Sequence, residues 1–265
     1  MSNVPGSLRT SIRPNGFKRA LQRGELQVGL WSGLSSSVTV EVLANAGFDW
    51  LLLDTEHSPN ELPMVHSQLQ AIAQGPTHPI VRPAWNDTVL IKRFLDVGVQ
   101  TLLIPFVQNA DEARAAVAAT RYPPHGVRGF SAASRANDYG RMAGYAAGCA
   151  AEICLLLQVE TPLALANIEE IAAVEGVDGI FIGPGDLAAS MGHVGNLKHP
   201  EVVEAITGAI GRIVATGRAA GVLMGDETLA HQFIEAGATY TAVGSDINLL
   251  ARGAEALAAR FKSPA

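Results

Sequence analysis

Long apolar runs are missing from this chain, and so are the signatures of several protein classes. No stretch approaches the ~20 residues needed to cross a bilayer. The segment Met1 to Thr10 lacks the apolar centre of a secretory leader, so a cytoplasmic protein with no membrane partner is expected. Cysteine occurs only at Cys149 and Cys154. Two thiols make no disulfide framework and their spacing is not that of a zinc site, so both are expected in or beside the core. Basic residues are outnumbered, 19 Lys and Arg against 25 Asp and Glu, giving a net charge of -6. That balance argues against nucleic acid or an anionic lipid surface as partner. Aromatics are scarce at 6%, whereas glycine is plentiful at 27 residues, which suits an α/β fold with many tight turns.

What is present is a repeating unit. A helical run ends in a small or acidic residue followed by glycine, and a strand follows. The junctions are Ala46-Gly47, Val97-Gly98, Glu175-Gly176, Ala220-Gly221 and Ala236-Gly237. Glycine just past a helix adopts the left-handed conformation that ends it. Repetition of the unit implies alternating strands and helices and a parallel sheet. Eight strands are expected, over Gln27–Trp31, Trp50–Asp54, Ile80–Arg82, Thr101–Pro105, Ile153–Glu160, Gly179–Ile182, Val222–Met224 and Tyr240–Val243. The helices between them carry apolar stripes, among them Leu62, Val65, Leu69, Ile72 and, near the end, Leu250, Ala254, Leu257, Phe261. Eight such units in 265 residues match a single (β/α)8 TIM barrel. The competitor is a doubly wound open sheet, weakened by the lack of Gly-x-Gly-x-x-Gly after the first strand and of a Walker motif. A short helix at Phe17–Gly24 is expected to cover the barrel floor, with residues 1–15 a poorly structured arm. Residues 122–148 read as a long loop whose His125, Arg128 and Arg135 are expected at solvated surface.

In a barrel the strand ends gather functional side chains at one mouth. Trp31 ends the first strand, Asp54-Thr55-Glu56-His57 follow the second and Arg82 the third. Gln158 and Glu160 end the fifth, Asp186 follows the sixth, Met224 and Asp226 the seventh, and Ser245 and Asp246 the eighth. Glu160 and Asp186 each follow an apolar strand and can share a hard divalent cation, Mg²⁺ or Mn²⁺, through oxygen. The alternative is that each only caps the next helix. Arg82 suits an oxygen that gains negative charge, such as an enolate. Asp54 is expected to orient His57 as a general acid/base. Trp31 is either core or pocket wall. Gly183, Pro184, Gly185, Asp186 and Leu187 open a helix, and the N–H groups of Gly185, Asp186 and Leu187 offer a carboxylate site.

Taken together and in order, Leu52–Asn60, Val81-Arg82-Pro83, Gln100–Pro105, Gln158–Thr161 and Gly183–Leu187 resemble the HpcH/HpaI aldolase family, over nearly the whole chain. That family, of the phosphoenolpyruvate/pyruvate barrel type, includes 4-hydroxy-2-oxoheptanedioate and 2-keto-3-deoxy sugar-acid aldolases. The resemblance implies a class II pyruvate aldolase that splits a 4-hydroxy-2-keto acid into pyruvate and an aldehyde. It implies that Glu160 and Asp186 hold the divalent metal, with Co²⁺ or Zn²⁺ as further possibilities. It also implies that Arg82 stabilises the enolate, that His57 and Asp54 handle protons, and that the assembly is a hexamer built as a trimer of dimers. No lysine follows a strand where a Schiff base would form. Gly185 stands where many relatives carry alanine, which is expected to widen the pocket. The rivals are a related carbon–carbon lyase, an oxaloacetate decarboxylase, and a keto-acid-binding barrel without activity.

Overall fold

The computed structural model describes residues 12–262. The first eleven residues of the expected arm lie outside that range. At its end the expectation does not hold, because Asn15 is fully buried. Its amide donates to Thr101 Oγ1 (3.0 Å) and to the Glu152 carbonyl (3.1 Å), and its side-chain oxygen caps the helix Gly16–Gln22 by accepting from Lys18 N–H (2.9 Å).

Eight parallel strands close into a barrel in chain order. They are β1 (Gln27–Ser32), β2 (Trp50–Asp54), β3 (His78–Arg82), β4 (Thr101–Ile104), β5 (Cys154–Val159), β6 (Gly179–Ile182), β7 (Ala219–Leu223) and β8 (Ala238–Ser245). Every expected strand exists, with boundaries shifted by a few residues, although Gly221, expected just past a helix, lies inside β7 and Gly217 (φ 79°) follows that helix instead. The strands lack polar alternation because both faces are covered. Leu51 and Leu53 of β2, Leu155 and Leu157 of β5, and Ile180 and Ile182 of β6 join the outer core under the helices. Their neighbours Trp50, Leu52, Cys154, Leu156 and Phe181 fill the barrel interior.

The interior holds large rings because glycine makes room for them. A Cβ on Gly29 would lie 2.1 Å from the Trp50 ring, and one on Gly221 would lie 2.2 Å from Tyr240. The floor is closed as expected by the helix Gly16–Gln22. Its Phe17 stacks on His78 at 5.4 Å and meets Trp50 and Tyr240 edge-on at 6.3 and 6.1 Å. The opposite, carboxyl-terminal ends of the strands carry Asp54, Arg82 and, just beyond β5, Glu160.

Two surface expectations change. Arg128 is buried, not solvated: it pairs with Asp96 at 2.9 Å and lies 4.6 Å over the Tyr122 ring. Arg135 donates to the Val97 carbonyl (2.7 Å) from a short 3-10 turn, Arg135–Asn137, so the long loop is tied down by its arginines. The apolar stripe of the last helix, Asp246–Ala259, does not pack on the barrel. Leu250 and Leu257 are 62% and 55% exposed, and Phe261 just beyond is 84% exposed.

Candidate active site at the carboxyl end of the barrel

Asp54 and Arg82 are the last residues of adjacent parallel strands and stand in register with one another. Their side chains therefore point the same way and meet in two hydrogen bonds, from Arg82 Nε to Asp54 Oδ1 (2.9 Å) and from Nη2 to Oδ2 (2.7 Å). Trp31 adds its indole N–H to Asp54 Oδ2 (3.3 Å), and the Glu56 N–H donates to Oδ1 (3.0 Å). Burial alone would push the Asp54 carboxyl up. The Arg82 hydrogen bonds and charge, helped by Glu56 N–H and Trp31, outweigh it and hold the group below its ordinary value. The guanidinium carbon sits 5.0 Å over the Trp31 ring, and Nη1 lies 2.9 Å from Glu56 Oε2. Arg82 is thus a preorganised cation with one face stacked and two edges bound.

The expected Asp54–His57 dyad is not formed. Asp54 has given its oxygens to Arg82, Trp31 and the Glu56 backbone, and His57 stands exposed at the rim. Strand register decided this, since it sets Arg82 beside Asp54 while the chain turns away before His57.

Glu160 follows β5 and is 1% exposed. It accepts from Phe106 N–H at Oε1 (2.9 Å) and from Gln158 Nε2 at Oε2 (2.6 Å). Burial raises its pKa to about 7, with the charges of Glu56 and Asp186 adding to the shift and the two hydrogen bonds opposing it. Glu56 is raised for similar reasons, burial first, although Arg82 and His57 oppose. Gly183 is required here, because a Cβ would lie 2.4 Å from Glu160 Oε2. Asp186, exposed, stands in the first turn of the helix Pro184–Ser190. Glu160, buried and close enough to Glu56 and Asp186 to feel their charge, offers with Asp186 an oxygen-only pair of the kind a hard divalent cation takes.

The remaining strand-end residues divide. Gln158 is buried beside Glu160 with its Oε1 unpartnered. Leu187 is buried and its N–H closes the helix onto the Gly183 carbonyl (3.1 Å), so it is no donor to substrate, contrary to expectation. Gly183 likewise spends its N–H on the Val159 carbonyl (3.1 Å), and Pro184 is buried at the helix start. Asp226 caps the helix Glu227–Glu235 through Leu229 N–H (3.1 Å) and pairs with Lys198. Asp246 binds Ser32 Oγ (3.0 Å) and Gly33 N–H (2.9 Å), tying the end of β1 to the last helix. Sequence reasoning passed over Phe106. The strand-end rule, applied to β4 as to the others, points to it.

Among the described residues, the group of three or more potential ligands whose donor atoms lie within reach of one ion is His193, His199 and Glu201. Its imidazoles stack at 3.6 Å with planes 15° apart, so their in-plane lone pairs run side by side rather than converging. His193 Nε2 is 2.9 Å from Glu201 Oε2 instead.

A family model, HpcH/HpaI aldolase/citrate lyase, matches residues 27–253, from the start of β1 into the last helix. The chain belongs to the HpcH/HpaI aldolase/citrate lyase family. It is 62% identical over 247 residues to a protein of Rhizobium etli named pyruvate aldolase, covering 93% of this chain and 97% of that one. A Klebsiella pneumoniae protein named 4-hydroxy-2-oxo-heptane-1,7-dioate aldolase is 58% identical over 248 residues, 93% of this chain and 94% of its own. The crystal structure of an HpcH/HpaI family protein from Burkholderia cenocepacia superposes with a TM-score of 0.90 at 38% identity, over 94% of this chain and 100% of that one. The floor helix precedes the part of the chain that the HpcH/HpaI model covers.

Proposed function

We propose that this chain is a class II pyruvate aldolase, a carbon–carbon lyase that reversibly cleaves 4-hydroxy-2-keto acids to pyruvate and an aldehyde. The observation that carries the reading is the pairing of opposites at one mouth. Arg82 is clamped by Asp54, and across from it Glu160 is a buried carboxylate raised to about 7 by burial and by Glu56 and Asp186. Glu160 and Asp186 are the residues that would hold a divalent ion, Mg²⁺ or Mn²⁺, which when bound supplies Lewis acidity to the keto acid.

The chain's own groups account for the rest. In cleavage the 4-hydroxyl loses its proton, the C3–C4 bond breaks, its electron pair becomes the enolate of pyruvate, and C3 then takes up a proton. Arg82 faces the oxygen where the enolate charge grows, and its fixed geometry costs no reorganisation at that moment. Asp54 holds that guanidinium in place. His57, exposed at the rim, is the proton carrier, without help from Asp54. The N–H groups of Gly185 and Asp186 precede the first intrahelical bond and face the keto-acid carboxylate. Trp31 walls the pocket beneath Arg82, and Gln158 fixes one oxygen of Glu160.

No helix among the described residues is long and apolar enough to cross a membrane, in keeping with a cytoplasmic enzyme of small 2-keto acids and aldehydes. The exposed apolar face of the helix Asp246–Ala259 supports a homo-oligomer, a hexamer built as a trimer of dimers, in which a neighbouring copy covers Leu250 and Leu257. The test is pyruvate release from 4-hydroxy-2-keto acids before and after EDTA, with Mg²⁺ or Mn²⁺ then restored. Activity lost to EDTA and regained with metal is expected. Release that persists in metal-free protein overturns the roles of Glu160 and Asp186, and CO₂ release from oxaloacetate with no aldol cleavage makes the protein a decarboxylase.

A further inference from the structure

We propose that Trp85 and Phe106 form the subsite for the aldehyde's substituent, and that they favour aldehydes bearing an aromatic or extended apolar group; this rests on the aldolase reading above. The two rings stack at the rim with centroids 5.5 Å apart and planes 28° apart. They stay 53% and 38% exposed.

Both are joined to the chemistry by short, fixed links. Phe106 sends its own N–H to Glu160 Oε1 (2.9 Å), and the next N–H, of Val107, binds the Gln158 carbonyl (3.0 Å). Between these two anchors Phe106 holds φ at 55°, a left-handed backbone that a bulky L-residue seldom adopts. Glycine would take that conformation freely, so a phenylalanine kept there points to use of the ring, and such outliers gather at ligand sites. Trp85 stands three residues beyond Arg82. Its carbonyl accepts from Asp87 N–H (2.9 Å), and Asn86 anchors the same turn to the Glu112 carbonyl (3.1 Å). The pair therefore sits over the end of β4, between the strands that carry Arg82 and Glu160.

That location fits the substituent rather than the keto acid. The keto-acid half occupies the polar floor made by Arg82, Glu160 and Asp186, and the aldehyde arrives from solvent across the rim. Arg82 is held by Asp54 and Glu56 and in the reading above turns its remaining N–H to the keto acid, so it is not placed to receive an anionic substituent of the aldehyde at the rim. A flat or apolar group gains a ring face and loses water instead.

The test is the aldol addition of pyruvate to benzaldehyde and to acetaldehyde, with Mn²⁺, using the full-length protein and Trp85→Ala, Phe106→Ala and Trp85→Phe variants. Alanine at either position is expected to lower the benzaldehyde-to-acetaldehyde ratio of kcat/KM about three- to tenfold, mainly through the KM for benzaldehyde. Trp85→Phe restores most of the ratio. A ratio unchanged in both alanine variants overturns the subsite. So does a parallel fall in kcat with both aldehydes, which marks a disturbed Glu160 instead. Wild-type protein that adds pyruvate to neither aldehyde is a different result, and it removes the aldolase reading along with the subsite.

Discussion

Replacing Glu160 with glutamine should stabilise the metal-free protein while abolishing its chemistry. The folded-state pKa of Glu160 is about 7 against an ordinary 4.5, with burial as the main cause. Below pH 4.5 the group is protonated in both states and costs nothing. As pH rises toward 7 the unfolded chain releases this proton while the folded chain retains it, so stability falls. Above 7 the loss is complete at about 2.5 × 1.36, or roughly 3 kcal/mol. Glutamine removes that penalty and keeps both hydrogen bonds. Its carbonyl accepts Phe106 N–H, and its amide can meet Gln158 Oε1, which has no partner in the wild type, once the Gln158 amide turns over. In urea titrations of EDTA-treated protein, Glu160→Gln should match wild type near pH 4.5 and exceed it by roughly 3 kcal/mol at pH 8, a gain of about 5 °C in Tm for a chain of this size. Divalent metal should then raise wild-type stability and leave the variant unmoved. A variant no more stable than wild type at pH 8, or one whose advantage is the same at both pH values, refutes the argument that Glu160 is held ionised against its surroundings.

Four further outcomes follow from the same geometry. Arg82→Lys keeps the charge but loses the fork that Asp54 grips and the flat face over Trp31, so kcat for pyruvate release should fall on the order of a hundredfold with circular dichroism unchanged. Gly183→Ala places a methyl 2.4 Å from Glu160 Oε2 and should weaken metal binding at least about tenfold by calorimetry. Gly185→Ala meets nothing within 4 Å, so it should leave the fold intact or gain about 0.5–1 kcal/mol of helix stability. It should also shift preference from 2-ketobutyrate toward pyruvate, and an unchanged preference would remove Gly185 as a specificity position. Gly29→Ala drives a Cβ to 2.1 Å from Trp50 inside the barrel and should lower the urea midpoint by an amount equivalent to about 1–3 kcal/mol.

The sequence by itself determined the architecture and which residues stand at the mouth. A parallel strand covered on both faces is apolar without alternation, and a helix that must turn back into a strand ends in glycine. Both are local signals, so the eight strands, the barrel and the positions of Trp31, Asp54, Arg82, Glu160 and Asp186 could be read from the chain. Only the tertiary structure decided which of these groups touch. Asp54 is close in sequence to His57, yet the rung that sets β2 against β3 gave its carboxylate to Arg82. The elevated pKa of Glu160 needs burial and two acids from other strand ends, neither of which has a signature near residue 160. Trp85 and Phe106 are 21 positions apart and become a pair only where neighbouring strands end together. The last helix shows the limit from the other side. Its stripe predicts an apolar face, and amphipathic spacing carries no information about whether the barrel or another molecule covers it.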